Sequence, residues 1–457
     1  MFSKKIKKYG NFSRGSKKSA FTLVEALVFL FIFSVIAVTF YRVFSMSAAF
    51  SIDAKKRMAA TELANEKMEI ARNLDYSVLG TVSGIPPGNL LGTETVNADG
   101  GQYYIFTEVD YIDDAFDGKF PADAIPNDYK LVRIKVAWVN DINTTKAVTV
   151  FSSFPPPGLE TDIPNSGVLS VNILDNTGKG IPQADILLTN PATGTNTTVQ
   201  TDSTGNYTFI GATASSKYNV QVSKNGYYSV QTYPPYPTSA FNPSDLDASV
   251  MNDTVKTKSL ITDQLCQVNL KTQDPFGTAI PSVGFTLAGG HKKGTNASTG
   301  AAMYDYNQSL TSNSSGTSTQ SNMSFGVYTV TPTAVTGKTF IGISPALNKN
   351  NQFSLNPGAN LNVNLLYADN SLNSTLITVL NNADSTPITG ASVNLTNVSG
   401  YNATVTTDNY GDAYFPTSMP ALTAGQYTIS VTASGFKNKS DTVTVSAYTV
   451  KQIKLST

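Results

Sequence analysis

The sequence predicts an α+β head on a long N-terminal membrane-spanning helix, followed by tandem all-β sandwich modules. Three observations carry this. An apolar run at 21–41 follows a basic leader. A helical stripe then gives way to alternating strands. Beyond residue 160 a pattern of strands and turns recurs. The length agrees, since 457 residues at roughly 100–200 per domain ask for about three or four domains.

The leader, residues 1–20, holds Lys4, Lys5, Lys7, Lys8, Arg14, Lys17 and Lys18 and no acid. The run FTLVEALVFLFIFSVIAVTFY follows, with only Thr22, Glu25, Ser34 and Thr39 clearly polar. At about 1.5 Å per helical residue it covers the ~30 Å hydrocarbon core of a bilayer. Positive charge ahead of the span keeps the leader cytoplasmic and places everything after Tyr41 outside. Glu25 is the informative residue. A charged group inside a span costs roughly 2.5–3.5 kcal/mol at the centre, so a carboxylate there is a functional suspect with a partner to be named.

The residues SKKSAFTLVEALVFL resemble the cleavage and methylation motif of type IV prepilins and type II secretion pseudopilins. The resemblance implies a prepilin peptidase cutting between Ala20 and Phe21, N-methylation of Phe21, and an assembly role for Glu25. That role is a salt bridge in lipid to the Phe21 amine of a neighbouring subunit. Pairing relieves most of the penalty either charge would suffer alone. The residue before the cut is usually Gly in that family, and Ala20 stands there. The implied partners are the peptidase, other pilin subunits, the assembly platform and membrane lipid. Two other readings of the run remain. One is a secretory signal peptide cleaved near Ser45-Met46-Ser47 or Ser47-Ala48-Ala49, although the run exceeds the usual h-region. The other is an uncleaved signal anchor.

From Ala54 to Leu74 there is no Pro or Gly, and Ala60, Leu63, Ala64, Met68, Ala71 and Leu74 recur at three- and four-residue spacing. One helix from Phe21 to Leu74 is therefore expected, about 80 Å long. Residues 21–53 form its membrane and filament-core part. In the head, 54–157, Tyr103, Ile105, Thr107 and Val109 alternate with Tyr104, Phe106 and Glu108. Val132, Ile134, Val136 and Trp138 share one face against Arg133 and Lys135, and AVTVFSSF gives a third strand. Period two with a polar outer face predicts an antiparallel sheet with one buried side, covered by the helix. The order of elements resembles the pilin head. Between the first two strands the loop 110–128 crowds acids, among them Asp113, Asp114 and Asp117. These are candidate Ca²⁺ ligands, although Ala115 and Ala124 stand at the third and twelfth positions from Asp113 and break the EF-hand template.

The repeat occupies residues 165–232 and 373–457, with a weaker copy at 263–368 whose centre is stretched by the loop from Ala288 to Asn313. Val171 and Ile173 alternate inward, Gly180-Ile181-Pro182 turns the chain, and Ile186 and Leu188 form the next strand. Asp202 with Gly205, and Asp408 with Gly411, suit structural turns in which Asp caps the backbone and Gly supplies positive φ. Short strands bounded by turns imply β-sandwiches of Ig-like or transthyretin-like type. The spacing resembles carboxypeptidase regulatory-like modules, which support or display and bring no peptidase. The Tyr/Pro-rich stretch 233–262 reads as a semi-rigid linker, with an aromatic sugar-binding platform at 227–245 as the sharper alternative.

Composition narrows the function. Net charge is zero, with 14% charged residues, so nothing marks a nucleic-acid partner. A single Cys266 and a single His291 rule out an intrachain disulfide, a His-based zinc helix and a Cys/His knuckle. Cys266 reads as a small core residue and His291 as an exposed loop residue. No enzyme constellation and no cofactor are expected. The expected role is a minor pilin or pseudopilin-like subunit displaying β-modules outside the cell toward a surface protein or carbohydrate. The alternative is a membrane-anchored or secreted adhesin or stalk that joins no filament.

Overall fold

The computed structural model describes residues 23–98, 101–116, 118, 125–139, 145–157 and 163–457. The chain divides into two compact units. The first takes in the long helix, residues 91–107 and residues 132–152. The second takes in residues 75–90, 108–131 and everything from Ser153 onward.

In the first unit one helix runs unbroken from Leu23 to Arg72. No Pro or Gly interrupts it, and two hydroxyls of its apolar half bond back to the helix. Ser34 Oγ donates to the Leu30 carbonyl at 2.7 Å and Thr39 Oγ1 to the Val35 carbonyl at 2.8 Å. Ala60, Ala64, Met68 and Ala71 are buried at the spacing of one helical face. Lys67 Nζ meets Glu94 Oε2 at 2.6 Å, tying that half of the helix to the first strand. The sheet has four strands in sequence order, Thr93–Ala98, Gly101–Ile112, Tyr129–Val139 and Thr145–Phe154. Tyr103, Ile105, Val132, Ile134, Val136 and Trp138 are buried on it, following the alternation of the sequence. The expected polar outer face needs correction, because Tyr104, Phe106 and Phe151 are exposed there.

The second unit holds three sandwiches, each with its own core. In module 1 the strand Ser166–Leu174 pairs parallel with Val255–Ile261 and antiparallel with Asn206–Thr213. The facing sheet is built from Ser215–Ser223, Asp185–Asn190 and Thr195–Gln200, with short strands at Val230–Gln231 and Ala248–Val250. Module 3 repeats this. Ser374–Asn381 pairs parallel with Tyr448–Leu455 and antiparallel with Asp412–Phe415, facing a sheet of Asn402–Thr406, Ser392–Thr396, Gly425–Thr432 and Lys439–Val445. Module 2 has the same plan. Cys266–Gln273 pairs parallel with Asn360–Asp369 and antiparallel with Thr317–Met323.

Several expectations change. The stretch 233–262 is no linker: its last strand, Val255–Ile261, completes the first sheet of module 1, so that module continues to Ile261. Composition misled here because the pairing that makes this stretch part of module 1 is long-range, although Pro235, Tyr236 and Pro237 are exposed. Tyr227 and Tyr228 pack against the module 1 core, the Tyr233 and Phe241 rings meet edge-on at 5.2 Å, and Tyr236 is exposed. The stretched loop of module 2 is a long hairpin of Gly284–Thr295 and Ala302–Thr311. His291 lies in its first strand, not in an exposed loop, and its side chain is only 20% exposed. Residues 75–90 depart from the expected head as well. Ile85 joins the module 1 core, and the Ser83 carbonyl accepts from Asn196 N at 2.7 Å.

Candidate functional site

The helix carries the first group of candidate residues. Ala20 and Phe21 lie outside the described residues, as does the leader. Glu25 lies near the start of the described helix, within its apolar half. From Leu23 to Phe50 the large apolar side chains are exposed, Phe31 at 71% and Phe44 at 66% among them. This half is long and apolar enough to cross a membrane, and none of it is buried in the protein. The same helix thus presents an open apolar half carrying one carboxylate and a second half with a buried alanine stripe.

In the described part of the acidic loop two carboxylates bond to the backbone. Asp114 N–H donates to Asp128 Oδ2, and Phe116 N–H donates to Asp114 Oδ1 at 2.7 Å, so these carboxylates shape the turn. Asp117 lies outside the described residues. Among the described residues, which include Asp113 and Asp114, no three His, Cys, Asp or Glu side chains gather as metal ligands. Nearby, Lys130 is buried and donates to the Tyr76 and Leu79 carbonyls at 2.6 and 2.7 Å, with its Nζ 4.5 Å from the Tyr76 ring centroid. Burial pulls its ammonium down to about 8.

The repeated turns are structural, and the structure adds a member to them. Asp202 Oδ1 accepts from the amides of Thr204 and Asn206 at 2.8 and 2.9 Å, and Gly205 sits at φ +81°. Asp408 Oδ1 accepts from Tyr410 and Asp412 at 2.8 and 3.0 Å, with Gly411 at φ +73°. In module 2 the equivalent pair is Asn313, which accepts from Ser315 and Thr317 at 2.9 Å each, and Gly316 at φ +71°. Glycine is required twice over at these turns. A Cβ on Gly411 would sit 2.4 Å from the Val379 carbonyl, and one on Gly316 would sit 2.6 Å from that of Thr272.

Sequence reasoning missed the residue just before each turn. Thr201 Oγ1 donates to the Ile181 carbonyl at 2.7 Å and accepts from Ala184 N at 2.9 Å. Thr407 does the same with Ile388 and Ala391, at 2.7 and 2.9 Å. Ser312 holds the place in module 2, bonded to Ile280 and Val283 at 3.4 and 3.0 Å. Each buried hydroxyl clips the bend, Ile181-Pro182, Ile280-Pro281 or Pro387-Ile388, to the following strand. The offset from hydroxyl to Asp/Asn to Gly was the available signal, but it was lost among so many Thr and Ser.

A second missed constellation joins modules 1 and 2. Asp305 Oδ2 lies 2.9 Å from His291 Nδ1 and 3.2 Å from the Tyr228 hydroxyl, which donates to it. Burial acts to raise the Asp305 carboxyl, but His291, Tyr228 and Lys293 together hold it below its usual range. The same surroundings push the Tyr228 phenol well above its usual value. Cys266 is buried and free, a core residue of module 2.

Residues 168–250 and 376–456 match the carboxypeptidase regulatory-like domain. The matched segments fall in modules 1 and 3, and module 2 reaches the same strand pairing outside them. No curated protein matches the chain. Among solved structures, the Bacillus anthracis TIE protein is similar at 14% identity over 72% of this chain, with a TM-score of 0.20. This chain spans 60% of that protein's length. A streptococcal ancillary pilin is similar at 12% identity over 64% of this chain and 98% of its own, with a TM-score of 0.19. BcpA, the major pilin subunit of Bacillus cereus, gives 12%, 64%, 99% and 0.16 in the same terms. At such scores the likeness carries nothing about the role of this chain.

Proposed function

We propose that the chain is a minor pilin or pseudopilin-like subunit of a type IV pilus or type II secretion-type filament, without enzymatic activity. It is anchored by its N-terminal helix and displays its three β-modules outside the cell for adhesion or recognition. The observation that supports this most is the division of one unbroken helix, Leu23–Arg72, into an exposed apolar half and a half with a buried stripe in an α+β unit. A signal peptide has no need of the second half, and a simple anchor has no need of a carboxylate within the apolar run. In this reading a prepilin peptidase cuts before Phe21, and neighbouring subunits pack through the apolar halves. Glu25 pairs with the Phe21 amine of the next subunit, and membrane lipid holds the protein before assembly.

The test is Glu25→Ala in the native host. The variant is expected to insert into the membrane at the normal level and to fall at least about tenfold in purified filaments, the size expected for losing a charge pair in lipid. Normal incorporation would remove the assembly role. Mass spectrometry of the native N-terminus checks the processing separately: N-methylated Phe21 is expected, and an intact Met1 would mark a simple anchor.

A further inference from the structure

Modules 1 and 2 each depart from the plain repeat in one place. Module 1 carries the extra segment 233–247 before its last strands, whereas module 3 passes straight from Lys439–Val445 to Tyr448–Leu455. Module 2 carries a hairpin whose strands span 12 and 10 residues, against 6 and 6 in module 1 and 5 and 5 in module 3.

The two departures meet. Asn242–Pro243 adds as an antiparallel strand beside Thr295 and Gly294 at the end of the lengthened hairpin. Ser244 N–H then donates to the Lys293 carbonyl at 2.9 Å, and Lys293 Nζ lies 5.5 Å from the Phe241 ring centroid. Gly294 has no side chain where one could not fit, since a Cβ there would lie 2.1 Å from the Asn242 carbonyl. The Tyr228, His291 and Asp305 contact sits on the same extension. The short connection between the modules is itself pinned to module 1: Thr262 N donates to Leu174 O at 3.0 Å, and Leu265 N to Gly226 O at 2.9 Å. The connection between modules 2 and 3 is pinned as well, Asn370 N donating to Gly337 O and Leu422 N to Asn373 O at 2.9 Å each, but no strap accompanies it among the described residues. Their rings meet at Phe276 and Tyr414, 6.2 Å apart, and among the described residues no strand crosses from one to the other.

We propose that the segment 233–247 is a strap that locks modules 1 and 2 into one cooperative body, leaving module 3 to open independently. The base of the strap is held within module 1, Tyr233 N donating to Asp245 O and Asp247 N to Tyr233 O at 2.8 Å each, while the edge backbone at its tip, Asn242–Ser244, is satisfied by the hairpin of module 2. Main-chain pairing at an edge also couples two sandwiches more stiffly than side-chain contact does, because register fixes both position and direction.

Hydrogen exchange of the full-length protein in detergent, followed by mass spectrometry across a urea series, tests this. Peptides of modules 1 and 2 are expected to lose protection at one urea concentration and those of module 3 at another. Gly294→Val, which drives a side chain into the strap, and Ser244→Pro, which removes the strap's donor from an exposed loop, are each expected to separate modules 1 and 2. Exchange of strap amides should then rise on the order of tenfold for one lost bond. Separate loss of protection by modules 1 and 2 in the unaltered protein would overturn the proposal. So would coincident loss in both variants.

Discussion

Modules 1 and 3 match a family model and module 2 does not, yet all three pair their strands in the same way. The difference lies in the hairpin at the edge, long in module 2 and short in its neighbours. What stays constant is interior: a first strand beside the last, a buried hydroxyl, a side-chain-capped turn and a glycine pressed against a carbonyl. An edge hairpin can lengthen without disturbing those contacts, so family resemblance fades while the fold persists.

The largest expected effect tests whether module 2 truly shares that interior. Gly411→Val and Gly316→Val should each cost about 3–5 kcal/mol, combining a left-handed backbone with a close carbonyl. Urea unfolding followed by exchange in the affected module measures it, and a silent Gly316→Val would break the equivalence. The next effect separates the modules. Thr407→Val should cost about 2 kcal/mol by orphaning the Ala391 amide and the Ile388 carbonyl. Ser312→Ala should cost about half as much, roughly 1 kcal/mol, because Thr272 Oγ1 already bonds the Ile280 carbonyl at 2.5 Å. Equal losses would show that the second hydroxyl of module 2 compensates nothing.

The smallest effect is one of pH. Burial acts to raise the Asp202 carboxyl, but hydrogen bonds from Asn206 and Thr204 prevail and hold it below the usual carboxylate value. A carboxylate lowered by folding contributes stability above its ordinary value, near 4, and loses it as pH falls through the folded value. Asn313 at the same place in module 2 does not titrate. Acidification below pH 4 should therefore loosen the module 1 turn and spare that of module 2. Asp202→Asn should flatten the difference in an exchange series against pH, and an unchanged slope would sink the assignment.

The sequence made some of this legible for definite reasons. Val171, Ile173, Ile186 and Leu188 alternate strictly and are all buried. Asp202 and Asp408 carry turn chemistry in their residue type, whereas Asn313 sits among serines and threonines that dilute the same signal. Thr201 and Thr407 were unreadable because a buried threonine looks like an exposed one in a Thr-rich chain. The strap was hidden by composition: Tyr and Pro at 233–243 suggest a linker, and only long-range pairing to Thr295 and Gly294 makes a strand of Asn242–Pro243. His291 was misjudged for the same reason, since its partners Asp305 and Tyr228 are distant in sequence.

The parallel ladder between the first and last strand of each module has a mechanical consequence. Pulling a module by its two ends drags these strands past each other along their length. The ladder holds seven residue pairs in modules 1 and 2 and eight in module 3, with the evenly spaced bonds of parallel pairing. Under such shear the rungs bear load together, whereas a hairpin pulled at its open end would peel rung by rung. A tether made of these modules lengthens only when a whole ladder gives way.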